Sequence, residues 1–114
     1  MTRAATLTAL AAVLAGCGQR FDAERWKAGA PAHNTVVQRA GMAEDFLRRY
    51  DAVGMTRAEL VALLGEPDET DKFADYDLVY WLGPERGLAS IDSEWLVVRF
   101  GDAGPAVEAR IASD

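Results

Sequence analysis

Apolar residues recur at helical spacing in the segment from Thr35 to Tyr50. Steps of three and four separate them, which places them on one face of a helix. Gly41 weakens this helix by about 1 kcal/mol relative to alanine, so we expect regular helix to begin only at Met42. The opposite face is expected to be exposed to solvent and carries Glu44, Asp45, Arg48 and Arg49.

A second, shorter helix is delimited by capping signals at both ends. Thr56, followed three residues later by Glu59, has the spacing of a capping box. Gly65 permits a left-handed turn at the other end, and Pro67 prevents the helix from continuing. The residues between these signals form a broad apolar face, and a helix this short needs tertiary packing to be stable.

The segment after the second helix is strongly acidic. Residues 66–77 contain six carboxylates against a single lysine. Their spacing lacks the sixth-position glycine and the terminal glutamate of an EF-hand loop, so we expect no metal site here. The sequence favours a solvated loop that Phe73 and Tyr76 hold against the domain.

The remaining chain alternates between apolar and polar residues with a period of two, which is typical of strands. Glycine- and proline-containing turns separate the three alternating segments, which are residues 78–82, 95–100 and 107–111. In the last of them, the alternation places Val107, Ala109 and Ile111 on one face, which is expected to meet the helices, and Glu108 and Arg110 on the other. The fold class that follows is α+β: two N-terminal helices pack on a three-stranded antiparallel β-meander.

The N-terminus has the layout of a secretory signal. A short positive end precedes an uncharged, alanine-rich run of about ten residues, well short of the roughly twenty that cross a bilayer as a helix. Cys17 follows this run and is the only cysteine in the chain. A lone thiol closes no intramolecular disulfide, and His33 as the only histidine leaves no usual set of metal ligands. Covalent modification of Cys17 is favoured over an ordinary signal peptide or a buried free thiol.

The stretch Leu14-Ala15-Gly16-Cys17 resembles a bacterial lipobox. The resemblance implies that the Cys17 thiol is diacylated, that the signal is cut before it and that the new amino group is acylated. Several acyl chains anchor a domain durably, at about 0.8 kcal/mol per buried methylene. Gly18 in the next position favours an outer-membrane destination, if the cell has an outer membrane. The organisation that follows is a signal peptide over 1–16, a lipidated tether over 17–34 and a folded domain over 35–114.

The mature chain is small and acidic. Without residues 1–16 it has 98 residues, with 18 acidic and 11 basic side chains. This negative charge disfavours nucleic acid as a partner and argues against broad binding to anionic headgroups. Within the tether, Phe21 and Trp26 are five residues apart, a spacing that favours a short turn pinned onto the domain. The alternative is an exposed aromatic pair that binds a partner.

The chain resembles the BamE (SmpA/OmlA) family of small outer-membrane lipoproteins. Besides the lipobox, the resemblance covers roughly residues 41 to 112 and is carried by Gly54-Met-Thr-Arg-x-Glu-Leu-x-x-Leu-Leu-Gly-x-Pro67, Tyr80-Trp81, and Leu96-Val-Val-Arg-Phe100 with its Gly-Asp-x-Gly turn. The same layout occurs in beta-lactamase-inhibitor-like domains. The resemblance implies a non-enzymatic accessory subunit of the machinery that inserts β-barrel proteins into the outer membrane, in contact with partner proteins and phospholipid.

Partner-binding residues are expected at the end of the first strand and in the turn after it. Where the family tends to carry a basic residue, this chain has Gly83, and Arg86 is placed to substitute. Arg86, Trp81 and Leu88 are therefore the residues through which an adaptor would bind other envelope proteins. An adaptor is also expected to show one apolar, aromatic patch around Trp81, Leu82 and Leu88. The alternative function is a periplasmic inhibitor or ligand-binding module, in which the loop after this strand enters the cleft of an enzyme.

Candidate catalytic groups are sparse. His33 lies in the tether, no Gly-x-Ser-x-Gly motif or glycine-rich phosphate loop is present, and Ser90 and Ser93 have no basic partner nearby in the sequence. Asp92 and Glu94 are close enough to pair, but acidic residues at a strand edge usually serve solvation and edge protection. We therefore expect no enzymatic activity, no metal and no cofactor other than the lipid on the cysteine.

Overall fold

The computed structural model describes residues 20–29, 39–84 and 92–114. Along these residues the elements are α1 (Ala23–Ala28), α2 (Arg39–Arg49), α3 (Arg57–Leu64), β1 (Leu78–Pro84), β2 (Ser93–Phe100) and β3 (Ala106–Ser113). The strands form one antiparallel sheet in the order β1-β2-β3. The α+β class and the three-stranded meander are confirmed, and α1 adds a third helix to the two that were expected.

Helix α1 lies where the sequence predicts a short turn pinned onto the domain. Asp22 caps the helix, because its side chain accepts a hydrogen bond from the Arg25 backbone N–H at 2.9 Å. Phe21 and Trp26 are both buried, and Trp26 has no exposed surface. The expected docking of this aromatic pair is confirmed, so the segment from Phe21 to Gly29 packs as part of the folded unit.

Helix α2 departs from the expected exposure pattern. It includes Gly41 and is already regular at Arg39, ahead of the start expected at Met42. Asp45, expected on a solvated face, is only 5% exposed. That prediction is wrong for Asp45 because three hydrogen-bond donors surround its carboxylate, which the spacing of apolar residues does not reveal.

Helix α3 has the ends that its sequence specifies. The Glu59 N–H donates to Thr56 Oγ1 at 3.2 Å, and the Thr56 N–H donates to Glu59 Oε1 at 2.9 Å, so the expected capping box is confirmed. Gly65 follows the helix with a φ of 79°, in the region that favours glycine. Leu60 and Leu64 are buried in the core cluster to which the other helices and one face of the sheet also contribute.

The two faces of the sheet belong to different clusters. The face that meets the helices forms the main core, whose largest members include Trp26, Phe46, Leu64, Tyr80 and Leu96. The opposite face, called the second face below, carries Val79, Trp95, Val97 and Ala112. Because successive residues of a strand point to opposite sides, each strand contributes to both clusters.

A β-bulge changes the start of β3. The register shifts between Arg99 and Phe100, so that Phe100 lies opposite Ala106. Val107, expected to face the helices, is instead 49% exposed. The prediction for Val107 is wrong because the bulge inserts one residue and interrupts the alternation of faces.

Candidate functional site

The second face is the side of the sheet on which Trp81 lies. Partly buried aromatic residues pack over its buried members, and they are Phe73, Tyr76 and Trp81. The Phe73 ring centroid lies 6.2 Å from that of Trp95 and 6.3 Å from that of Tyr76. The acidic loop therefore crosses this face and is held there by Phe73 and Tyr76, as the sequence predicts.

A polar cluster borders the second face. Tyr76 OH donates to Glu108 Oε2 at 2.7 Å, while the Arg110 guanidinium donates to both the Tyr76 oxygen and Glu108. Arg99 donates to the other oxygen of Glu108. The hydrogen bond from Tyr76, together with those from the arginines, lowers the pKa of Glu108. Surface ion pairs add little stability. Their consequence here is that Glu108 holds both guanidinium groups in place, with the Arg110 guanidinium beside the Tyr76 ring.

Asp114 follows β3 and connects three parts of the second face. Its carboxylate accepts hydrogen bonds from the Ser93 N–H at 2.9 Å and from Trp95 Nε1 at 3.1 Å. Its Oδ2 also lies 3.3 Å from Lys72 Nζ. The Ser93 hydrogen bond is the main cause that lowers the pKa of Asp114. These contacts join the acidic loop, β2 and the end of β3 into one surface.

An open groove of about 210 Å³ runs beside the loop on this face. Its lining includes Asp68, Lys72, Phe73 and Val79. Pockets that enclose a small-molecule ligand usually measure about 300 to 1,000 Å³. The shape of this face therefore suits contact with another surface better than enclosure of a small molecule.

A buried arginine fixes the edge of the sheet next to Trp81. Arg39 is 1% exposed, and its guanidinium carbon lies 4.6 Å from the Trp26 ring centroid. Its Nε donates to Trp26 O at 2.8 Å, and its Nη1 donates to Trp81 O at 3.1 Å. The same Nη1 lies 3.3 Å from Asp68 Oδ2. Burial lowers the pKa of Arg39, and the Asp68 carboxylate opposes that effect.

Asp68 completes this edge from the other side. Its Oδ2 accepts the Trp81 N–H at 2.7 Å, and its own N–H donates to Val79 O at 2.9 Å. Arg39 and Asp68 therefore hold the Trp81 backbone through both its N–H and its carbonyl. Sequence analysis missed this pair, because its members are 29 residues apart and no local pattern links them.

The tether segment joins the domain at a buried carboxylate, that of Asp45. The Phe21 N–H donates to Asp45 Oδ2 at 2.7 Å, and Arg49 Nε donates to the same oxygen at 2.8 Å. Arg48 Nη2 donates to the other oxygen at 3.2 Å. The Phe21 hydrogen bond, with the two arginines, lowers the pKa of Asp45 despite its burial. An ionised Asp45 thus fixes Phe21 beside the C-terminal end of α2.

The aromatic and apolar residues expected to form one binding patch divide between the two faces. Trp81 is partly exposed on the second face, whereas Leu82 is 1% exposed in the main core. Tyr80 is also in the main core and donates its hydroxyl to Gly65 O at 2.8 Å. The expectation that Leu82 joins the patch is wrong, because adjacent strand residues point in opposite directions.

The other predicted site residues, Arg86, Leu88 and Cys17, lie outside the described residues. Within 20–29, 39–84 and 92–114, no three His, Cys, Asp or Glu side chains are placed to hold a metal ion. No helix in these ranges is both long and apolar enough to span a bilayer. Comparisons of the chain with protein-family models, curated proteins and solved structures find no match.

Proposed function

We propose that this chain is a lipid-anchored protein of the outer membrane that acts as a non-enzymatic adaptor on the periplasmic side. In this proposal Cys17 carries the lipid, and the folded domain binds other envelope proteins. The resemblance to the BamE family suggests the setting, which is the assembly of outer-membrane proteins or the integrity of the envelope.

The observation that carries the proposal is the composition of the second face. Trp81 and Tyr76 are partly exposed there. Tyr76 contacts Arg110, which shares Glu108 with Arg99, and the two arginine side chains are 52% and 47% exposed. Aromatic and arginine side chains dominate the energetic hot spots of protein interfaces. A partly covered aromatic cluster bordered by exposed arginines is therefore a surface suited to a protein partner.

The hydrogen bonds around this surface support the same proposal. Arg110 is held by Tyr76 and Glu108, and the Trp81 backbone is held by Arg39 and Asp68. Side chains that are already ordered lose less conformational entropy when a partner binds. The second face is thus prepared for binding without rearrangement of the sheet.

Photo-crosslinking of the lipidated protein in intact cells tests the proposal. A photoreactive residue replaces Ala74, which is exposed in the loop on the second face, or Ala62, an exposed alanine on α3 that serves as the matched control. We expect position 74, and not position 62, to give a discrete crosslinked product. The Arg110→Ala variant should remove that product, whereas Arg57→Ala on α3 should retain it. No product from position 74, or the same product from both positions, would contradict the proposal.

The turn residues predicted from the sequence are tested separately. Replacing Arg86 and Leu88 by alanine is expected to remove crosslinked neighbours while leaving the melting temperature unchanged. If both the neighbours and the melting temperature stay as they are, the turn takes no part in binding, and any binding is confined to the sheet surface.

A further inference from the structure

The chain leaves the folded domain toward Cys17 at one defined corner. Phe21 is fixed there by its hydrogen bond to Asp45, and Arg49 Nη2 lies 3.5 Å from Phe21 O. Four residue steps separate Phe21 from Cys17. An extended chain spans at most about 3.6 Å per residue, so this connection reaches at most about 14 Å. A lipidated Cys17 therefore keeps Phe21 close to the headgroup layer, which is about 5 to 7 Å thick.

Side chains suited to a membrane–water interface lie beside Phe21 and at the adjoining C-terminal end of α2. We call this surface the tether corner, and it consists of Arg20, Arg48, Arg49, Tyr50 and Val53. The Arg48 side chain is 67% exposed and Val53 is 56% exposed. Tyr50 is half-buried, with its ring centroid 5.7 Å from that of Phe21. Arginine and tyrosine suit this location because each combines an apolar stem with a polar end.

The charge distribution also favours the tether corner as the side of the domain that faces the headgroups. Asp45 pairs with Arg48 and Arg49, Arg20 is the third arginine, and Asp51 follows Tyr50 in the chain, so three positive charges stand against two negative ones and the corner is close to neutral. The loop over 66–77 carries six carboxylates against Lys72, and part of it covers the second face. An anionic headgroup surface repels this loop more strongly than it repels the corner.

We propose that the domain rests on phospholipid headgroups through the tether corner, with the second face turned away from the bilayer. The proposal rests on the lipidation of Cys17 proposed above. The helices and Phe21 lie on one side of the sheet, and Trp81 lies on the other. A short tether that holds the helical side down therefore presents Trp81 and its neighbours to partners arriving from the aqueous phase.

Site-specific fluorescence on the lipidated protein measures this orientation. Acylation blocks the thiol of Cys17, the only cysteine, so an introduced cysteine is the only free thiol that a label can reach. An environment-sensitive dye is attached at Val53→Cys in the tether corner or at Ala74→Cys on the second face. The proteins are then reconstituted into phosphatidylethanolamine–phosphatidylglycerol vesicles that contain a headgroup nitroxide quencher. We expect a loss of fluorescence at position 53 and none at position 74.

Two measurements separate this inference from the proposed function. Intact mass and flotation with vesicles report whether Cys17 is acylated and anchored, and failure of either refutes the anchor itself. With the anchor present, equal quenching at positions 53 and 74, or stronger quenching at 74, overturns the orientation. An Arg48→Gln variant should reduce quenching at position 53 and leave position 74 unchanged. The control variant, Arg99→Gln on the second face, should change quenching at neither position.

Lengthening the tether tests whether its short length causes the orientation of the domain on the bilayer. Ten glycine and serine residues inserted between Gln19 and Arg20 give the domain a flexible reach of about 18 Å beyond the native tether. Quenching at position 53 should then fall toward the level at position 74, while acylation of Cys17 stays unchanged. Quenching that remains confined to position 53 would overturn the short tether as the cause of the orientation.

Discussion

Removal of the Asp68 carboxylate should destabilise the domain strongly, because that carboxylate is the counter-charge of a buried arginine. In the Asp68→Ala variant the Arg39 guanidinium, whose side chain is 2% exposed, loses its anionic partner. The Trp81 N–H also loses the acceptor that lies 2.7 Å away in the native protein. Breaking a buried pair by removing one partner costs about 3 to 5 kcal/mol.

That cost is large relative to the total stability of the domain. A chain of this size has a free energy of unfolding of about 5 to 15 kcal/mol. With an m-value of about 1.5 kcal/mol/M, a loss of 3 to 5 kcal/mol lowers the urea midpoint by about 2 to 3 M. Equilibrium urea denaturation of the lipid-free Cys17→Ser protein, with and without Asp68→Ala, measures the shift.

A second substitution identifies the buried charge as the cause. Adding Arg39→Met to Asp68→Ala removes the unpaired cation, so the double variant should recover part of the lost stability. Asp68→Asn keeps an oxygen for the Trp81 N–H and should cost less than Asp68→Ala. The Arg39→Met single variant is measured as well. If the stability losses of Asp68→Ala and Arg39→Met add to within about 0.5 kcal/mol in the double variant, the two residues do not interact and the reasoning is refuted.

Three further predictions follow from the core, the tether junction and the anchor. Leu64→Ala should cost about 2 to 5 kcal/mol by opening the main core, and Glu59→Ala about 1 kcal/mol by opening the capping box; equal melting temperatures would show that α3 is not packed as described. Because its folded-state pKa lies below the ordinary value of 3.8, Asp45 contributes stability at neutral pH that is lost as pH falls through that lowered pKa, so Asp45→Asn should flatten the acid limb of the stability–pH curve. An acid limb that stays unchanged in the variant contradicts this assignment. Cys17→Ser should leave unprocessed precursor or soluble protein, and a serine variant that still fractionates with membranes at high salt would refute the lipid anchor.

The elements with local signals are the ones that the sequence determined by itself. The capping box of α3 joins residues three apart, so both of its hydrogen bonds form within one helical turn and depend on local sequence alone. The strands of the meander are likewise recognisable from alternation, although each extends one or two residues beyond the alternating segment at one or both ends. The sequence also indicated that Phe73 and Tyr76 hold the acidic loop against the domain, because large aromatic side chains in an otherwise charged loop are usually buried.

Polar residues buried by distant partners could not be recognised in this way. The sequence places Asp45 among charged residues on a solvated face, and its burial depends on a contact with Phe21, 24 residues earlier, in addition to its ion pairs with Arg48 and Arg49. Arg39 gains its partners from segments 13 to 42 residues away. Hydropathy assigns such residues to the surface, because it measures the cost of burial without the hydrogen bonds that offset that cost.

The candidate binding surface shows the same division. Five of the ten aromatic residues of the chain lie in the segment from Phe73 to Trp95. Only the register of the sheet decided that Trp81 and Trp95 lie together on the second face while Tyr80 enters the main core. A shift of one residue in a strand exchanges its two faces, and a bulge such as the one beside Val107 does so locally. Composition is thus a property of the chain, whereas the side on which each aromatic residue lies is fixed only when the strands pair.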